Sequence, residues 1–287
     1  MKVGIQLYSV RNSMFKDPLK TIEQVVLQGY KFIEAANHDA EKDYGVGFGV
    51  SPEEINEVLD RTGAKIVSAH ISPMDKEKIE PVIEYHKKIG TKYIVMPMDF
   101  YKNSSEVLKK AVMLNEVGEK CKQAGIQLVY HNHFHEFQVF DGETESIYEM
   151  LMNNTDPELV QIEMDTYWVM RGGVAPVEFI KDYGKRIRLI HQKDFPKDKE
   201  SAIDLIDEVN REKIYVDINY FGSVVKEDEF TEIGSGIMDI QKIIDAANEY
   251  ADVDYIVLEQ DFSKFDELES IRISMENFKK LNGISWS

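Results

Sequence analysis

Four residues of types that bind divalent cations stand at the ends of short apolar runs in the sequence. They are His131, Asp165, His191 and Glu259. Two imidazoles and two carboxylates form a mixed nitrogen and oxygen donor set, which suits Mn²⁺, Zn²⁺ or Co²⁺. The runs before them cover residues 126–130, 160–164, 187–190 and 255–258. If these runs are parallel strands of a barrel, the four side chains converge on the face where barrel enzymes place their chemistry.

Residues two positions away share the side-chain parity of this set and add polar groups on three of the strands. They are Glu163, Lys193 and Asp261. His70, which ends another apolar run, points to the same face. In the alternative interpretation, each histidine is hydrogen-bonded within a core and each carboxylate pairs with a lysine or arginine. Four such residues at one end of four strands raise the weight of the metal interpretation, and both interpretations stay open at this point.

The elements that position these residues alternate between strand and helix patterns. Apolar runs begin near residues 3, 31, 65, 92, 126, 160, 187 and 255, with helical spacing between them. Ser51-Pro-Glu-Glu54 is typical of a helix start. Runs that are apolar on both faces predict a parallel sheet, so eight units predict an α/β fold, a single (β/α)8 TIM barrel over residues 1–287. An open doubly wound sheet is the alternative, but residues 7–11 lack its glycine-rich turn.

The last two runs begin 68 residues apart, which predicts an insertion after the seventh strand at about residues 195–232. It is expected on the active-site side, because barrel enzymes diversify through their βα loops. Residues 213–219 are predicted to form an additional strand or a short hairpin. Gly234-Ser-Gly236 is predicted to lead into the last helix, and its N–H groups either cradle an anion or form an ordinary helix entry.

Composition restricts the classes of partner. The net charge of −18 disfavours nucleic acid and anionic membrane surfaces, because phosphate binding needs concentrated lysine and arginine. No apolar stretch approaches the ~18 residues of a membrane span. The single Cys121 excludes an intrachain disulfide and is expected to be an incidental thiol in a helix. We therefore expect a soluble cytoplasmic protein that binds a small molecule. His86, in the middle of a helical pattern, is expected on the surface.

Six short motifs lie in order along the chain from residue 4 to residue 261. They are Gly4-Ile-Gln-Leu-Tyr-Ser-Val-Arg11, Tyr130-His-Asn-His133, Asp165-Thr-Tyr-Trp168, His191-Gln-Lys-Asp194, Glu232-Ile-Gly-Ser-Gly236 and Leu258-Glu-Gln-Asp261. Together they resemble the sugar phosphate isomerase/epimerase family of the xylose isomerase-like TIM-barrel superfamily, which also contains inosose dehydratases, ketose 3-epimerases and endonuclease IV. The resemblance implies one divalent metal ion (Mn, Zn, Co or Fe) bound by residues of strands five to eight, and a possible homodimer. The matching positions are His131, Asp165, His191 and Glu259.

Two positions depart from relatives within that superfamily. The ketose 3-epimerases carry a glutamate on the fifth strand, paired with the eighth-strand glutamate in acid/base catalysis, where this chain has His131. Glu136 is close enough in sequence to replace it if the loop folds back. Endonuclease IV relatives carry a histidine three residues after the sixth-strand aspartate, where this chain has Trp168. That difference and the acidic charge argue against DNA repair.

The implied site predicts chemistry next to a carbonyl group. A divalent ion there would polarise a sugar, sugar phosphate or keto-polyol carbonyl and acidify the neighbouring C–H. Glu259 is the predicted base, His131 or His133 the acid, and Lys193 a donor to the enediolate. The predicted substrate contacts are Tyr8, His70, His133 and Trp168. Isomerisation or epimerisation is the predicted reaction. The alternatives are an inosose dehydratase-like lyase and a catalytically silent sugar-binding barrel.

Overall fold

The computed structural model describes residues 1–286, and within them eight parallel strands close into a barrel. The strands are β1 Lys2–Gln6, β2 Phe32–Asn37, β3 Lys65–Ile71, β4 Tyr93–Met96, β5 Gln127–His131, β6 Val160–Asp165, β7 Ile187–Gln192 and β8 Tyr255–Leu258. Each strand pairs with the next, and β8 pairs with β1. The predicted TIM barrel and the sequence positions of its strands are therefore confirmed.

Helices surround the barrel and follow the strands in alternation. In the described part of the chain they are α1 Arg11–Lys16, α2 Pro18–Leu27, α3 Pro52–Thr62, α4 Ile79–Lys88, α5 Ser104–Gln123, α6 Ile147–Asn153, α7 Thr166–Arg171, α8 Pro176–Tyr183, α9 Ile206–Glu212, α10 Ile218–Val224, α11 Ile240–Tyr250 and α12 Glu267–Phe278. The predicted start of α3 is confirmed: Ser51 Oγ accepts from Glu54 N–H, and the Glu54 carboxylate accepts from Ser51 N–H. This reciprocal pair satisfies two of the free N–H groups at the helix start.

The inside of the barrel is apolar at its lower end and polar above. Eight buried apolar side chains form a cluster separate from the core between strands and helices: Phe32, Val67, Tyr93, Val95, Val129, Leu189, Tyr255 and Val257. Val129, Leu189 and Val257 each lie two positions before a predicted metal ligand. Because strand side chains alternate, those ligands point into the barrel one level higher, toward its mouth.

The segment between β7 and α11 differs from its prediction in detail. Residues 213–219 form neither an additional strand nor a hairpin, since residues 214–217 have no strand partner within residues 1–286 and α10 begins at Ile218. Asp217 causes this, because its side chain accepts from the N–H groups of Asn219 and Tyr220 and starts a helix. The loop at Gly234–Gly236 leads into α11, which is not the last helix, because α12 follows β8.

His86 is buried, so the expected surface position was wrong. It lies in α4 on the same face as the buried residues Ile79, Val82 and Ile83. Its Nδ1 lies 3.0 Å from Thr91 Oγ1. Burial lowers the pKa of His86 to about 4, so the ring is neutral at physiological pH.

Cys121 is buried in α5, and burial raises its thiol pKa to about 12. None of the helices described in residues 1–286 has the length and apolar character needed to cross a membrane.

Candidate metal centre

The ends of the last four strands bring together the residues predicted to bind a metal. His131, Asp165, His191 and Glu259 each offer one donor atom, and these atoms all lie within 4.8 Å of one another. The strand register explains the convergence of the first three, since His131 pairs with Glu163 and Asp165 pairs with His191. All four side chains are buried, and Glu259 is the most exposed at 8 %. Two imidazoles and two carboxylates at this spacing fit one divalent cation.

The turn from β6 into α7 fixes the orientation of Asp165. Its Oδ1 caps α7 by accepting from Trp168 N–H at 2.9 Å. Asn132 holds the same turn from β5, because its Oδ1 accepts from Asp165 N–H at 3.0 Å. One carboxylate oxygen is therefore committed to the helix, and Oδ2 is left facing the other donors.

Lys193 supplies positive charge to this group of carboxylates. Its Nζ lies 2.5 Å from Asp165 Oδ2, contacts the Glu259 carboxylate, and lies 3.9 Å from Asp261 Oδ2. Burial opposes the charged amine, but Asp165, Asp261 and Glu259 outweigh it and raise the pKa of Lys193 well above its usual value. Burial alone would raise the pKa of Glu259, but Lys193 and His191 hold it well below the usual range. The site therefore combines an ionised Glu259 with a charged lysine.

The two histidines of the donor set differ in charge when no cation is bound. Burial lowers the pKa of His131, and the neighbouring His191 lowers it further. Burial also opposes charge on His191, but Glu163, Glu34 and Glu259 outweigh it and raise its pKa well above the usual value. The carboxylates thus favour a protonated, positively charged His191 when no cation is bound. A divalent cation would supply that positive charge itself and would bind the neutral imidazole.

A cavity of about 590 Å³ opens above the donors, within the range of about 300–1,000 Å³ that is usual for small-molecule sites. All four predicted substrate contacts and all three predicted catalytic residues line it: Tyr8, His70, His131, His133, Trp168, Lys193 and Glu259. Sequence reasoning did not include His38 and Phe262, which also line it, and it gave Asp261 no role in the reaction. Burial, together with Glu259, raises the pKa of Asp261 to about 7, although Lys193 opposes this shift.

Helix α10 of the insertion contributes one wall of the cavity, through Ile218, Phe221 and Gly222. The Phe221 ring packs edge-to-face on His133, with centroids 5.3 Å apart, and also contacts Trp168 at 5.7 Å. The prediction of a strand or hairpin at residues 213–219 does not include this helix, so it misses the wall that the helix forms. The signal that indicates it is Asp217, an N-cap residue directly before Ile218.

Comparison with known proteins identifies the family. The sequence profile described as xylose isomerase-like TIM barrel matches residues 22–281. The chain belongs to this family. It is 26% identical over 256 residues to an inosose dehydratase of Clostridium beijerinckii, covering 80% of this chain and 78% of that protein. A sugar phosphate isomerase/epimerase from Parabacteroides distasonis has the same fold, with a TM-score of 0.76, 23% identity and coverage of 99% and 95%. The IOLI protein with a bound zinc atom superimposes with a TM-score of 0.68 at 16% identity, covering 98% and 97%.

Within this xylose isomerase-like barrel, Glu136 does not replace His131. The loop after β5 does fold back and buries Glu136, but its carboxylate accepts from Tyr130 O–H at 3.0 Å and from His133 N–H at 2.9 Å. Those contacts hold the loop that presents His133 to the cavity. Burial, together with His135, lowers the pKa of His133 well below its usual value, so its ring is neutral.

The N–H groups of the glycine loop before α11 bind the side-chain carboxylate of Asp194. The N–H groups of Gly234 and Gly236 both donate to Asp194 Oδ2 at 2.9 Å. A Cβ at Gly236 would lie 2.2 Å from Asp194 Oδ1, so only glycine fits there. These N–H groups are therefore engaged in holding the loop after β7, which favours the helix-entry interpretation over an anion cradle.

Proposed function

We propose that the protein is a divalent-metal-dependent enzyme that transfers a proton at the carbon next to a carbonyl of a sugar or keto-polyol. The observation that carries this proposal is the convergence of four metal donors and Lys193 at the base of one cavity. A divalent cation in this donor set would polarise the carbonyl and acidify the adjacent C–H. Family membership and relatives named as isomerases, epimerases and dehydratases support the same first step.

The residues of the chain have separate roles in this reaction. Glu259 is ionised and reaches the cavity, so it is the proposed base. The Lys193 ammonium is the proposed donor to the oxygen that gains negative charge. His133, presented from the β5 side of the barrel, is proposed to exchange a proton with the substrate opposite Glu259. Because β5 and β8 are three strands apart, these groups approach the substrate from different sides.

The substrate is proposed to carry no phosphate group. Among the described residues that line the cavity, Lys193 is the only lysine or arginine, and two carboxylates already hold it. Phosphate recognition requires arginine, lysine or free backbone N–H groups, and those of the glycine loop are bound to Asp194. Tyr8, Trp168 and Phe221 instead offer aromatic surfaces suited to the C–H faces of an uncharged sugar ring.

Isomerisation or epimerisation follows if the proton returns to the substrate. A second candidate is dehydration, in which the enediolate expels a β-hydroxyl group, and the inosose dehydratase relatives favour it. Both reactions begin with the same proton abstraction by the same residues.

The test is solvent exchange in D₂O with the metal-loaded protein and a panel of unphosphorylated ketoses and inososes. Deuterium in the recovered sugar without an absorbing product supports an isomerase or epimerase, and an absorbing enone supports a lyase. Glu259→Gln is expected to lose both signals. If no substrate of the panel exchanges although metal is bound, the proposal fails and a sugar-binding barrel without catalysis accounts for the site.

A further inference from the structure

A layer of buried polar side chains lies beneath the four donors, and the proposed reaction gives its two glutamates no role. Glu34 of β2 and Glu163 of β6 are both fully buried, as strand residues that point into the barrel. Gln6 and His70 lie between them. Two buried carboxylates are costly to desolvate, so their contacts should explain their presence.

These carboxylates contact the far sides of the two histidines in the donor set. His131 Nε2 faces Asp165, with Oδ2 at 3.9 Å, while its Nδ1 lies 3.0 Å from Glu163 Oε2. His191 Nδ1 lies 2.9 Å from Glu259 Oε2, while its Nε2 lies 2.6 Å from Glu34 Oε1. Each imidazole thus presents one nitrogen to the donor group and the other to a carboxylate below.

We propose that Glu163 and Glu34 are positioning residues that orient His131 and His191 for the cation. With a cation bound, each carboxylate would accept the N–H of the lower ring nitrogen, and the lone pair of the upper nitrogen would be free to bind the cation. A histidine that binds a metal generally donates its second N–H to such a partner, which fixes the tautomer and the ring orientation. In this orientation His131 would bind the cation through Nε2 and His191 through Nδ1.

The same layer joins the two positioning residues to each other. His70 Nε2 lies 2.6 Å from Glu163 Oε2 and 3.2 Å from Glu34 Oε1. Gln6 Nε2 donates to Glu34 Oε1 at 2.9 Å. Any displacement of one carboxylate therefore disturbs the support of both histidines.

A second cation within the layer is the competing arrangement. His70, His131, Glu163 and His191 offer donor atoms within 4.8 Å of one another. The contacts of 2.6 and 3.0 Å that Glu163 makes with His70 and His131 are those of hydrogen bonds. A cation in each layer would also require both shared imidazoles to lose their N–H protons. Geometry and chemistry both favour hydrogen bonding.

The test is a titration of the metal-free protein with Co²⁺. Binding is measured by calorimetry and by the visible absorption of the bound ion. Wild type is compared with Glu163→Gln and Glu34→Gln, which keep side-chain size and remove the charge. Glu232→Gln is the matched control, because Glu232 is a buried carboxylate that accepts from Ser263 and Ser270, away from the histidines. We expect one equivalent in every protein, with a Kd about 10–100-fold higher in the two test variants and unchanged in the control. The absorption bands should shift only in the test variants.

This inference rests on the proposed metal site, and the titration separates the two failures. A wild type that binds no Co²⁺ overturns the proposed function and this inference with it. One equivalent bound equally tightly by wild type and both variants overturns this inference alone. Two equivalents in wild type, falling to one in Glu163→Gln, also overturn it and assign a second cation to the layer. If Glu163→Gln does not fold by circular dichroism, the affinity of Glu34→Gln decides.

Discussion

Replacement of Lys193 by methionine is predicted to strengthen metal binding and to slow turnover. The ammonium lies 2.5 Å from Asp165 Oδ2 and contacts the Glu259 carboxylate, so it neutralises two of the four groups that the cation needs. Methionine keeps the apolar body of the side chain, is one heavy atom shorter, and removes the charge. The carboxylates would then have no competing cationic partner at this position.

Coulomb's law gives the minimum size of the effect. An ammonium displaced to about 6 Å from a divalent ion still repels it by about 1.4 kcal/mol in the dielectric of bulk water. The repulsion is larger in the less polar interior, where Lys193 is buried. A gain of about 1.4 kcal/mol lowers the dissociation constant about tenfold, so Lys193→Met should bind metal at least about tenfold more tightly. If Lys193 also donates to the developing oxyanion, kcat should fall by about 10²–10³.

The assay is competition for Zn²⁺ or Co²⁺ against a chromophoric chelator, run beside the D₂O exchange measurement. Lys110→Met is the matched control, because Lys110 Nζ also lies 2.5 Å from an aspartate oxygen, that of Asp99. The control should leave affinity and exchange unchanged. Weaker or equal metal binding by Lys193→Met would refute the reasoning that lysine and cation compete for the same oxygens.

Three further predictions concern folding and substrate binding. His86 has a folded pKa of about 4 against 6.5 for the free side chain, so the unfolded chain binds more protons between these values. The contribution of His86 to the free energy of unfolding should therefore fall by about 2–3 kcal/mol between pH 7 and pH 4.5. In urea titrations the total fall should be smaller by about that amount in His86→Gln than in wild type, and equal falls would contradict this. Arg171 is fully buried, pairs with Glu229 at 2.7 Å and donates to Ala202 O, so it anchors the insertion to α7. Arg171→Met should lower the free energy of unfolding by about 3–5 kcal/mol and make residues 195–232 more sensitive to protease. An unchanged cleavage pattern would exclude this anchoring role. Phe221→Ala removes one aromatic wall of the cavity and should raise KM up to about tenfold with little change in kcat; a change confined to kcat would contradict a binding role.

The strands and the donor set were predictable because their signals are local. An apolar run that ends in a histidine or a carboxylate indicates both a strand and its C-terminal end. Closure of the barrel brings four of these ends together. The positions of His131, Asp165, His191 and Glu259 follow from that rule alone. The contacts of Lys193 with Asp165 at the end of β6 and with Glu259 directly after β8 do not follow from that rule, because they depend on how far a long side chain reaches across the barrel.

The errors arose where one local pattern was considered without its neighbours. Ile214, Tyr215 and Val216 resemble a strand, but Asp217 caps a helix that starts directly after them. The residues next to His86 are polar and suggest a surface position, but His86 shares a helical face with Ile79 and Val82, which indicates burial. In both cases the correcting signal was present in the sequence, within seven residues of the error.

Only part of the polar layer beneath the site is predictable from the sequence. Glu163 is predictable from its parity with Asp165, but Glu34 and Gln6 lie on β2 and β1, which carry no predicted metal ligand. A glutamate within the run Phe32–Asn37 is unusual for a buried strand. Its partner His191 is 157 residues away, so only the closed barrel identifies the contact.

The measurement that tests the central claim most directly is the metal content of the purified protein, wild type beside Asp165→Asn. Asparagine keeps the oxygen that caps α7 at Trp168 N–H and removes the negative charge that faces the other donors. We predict close to one equivalent of Mn, Zn, Co or Fe in wild type and loss of the metal in a variant that remains folded. Absence of bound metal in wild type after reconstitution, or equal content in both proteins, would contradict the account.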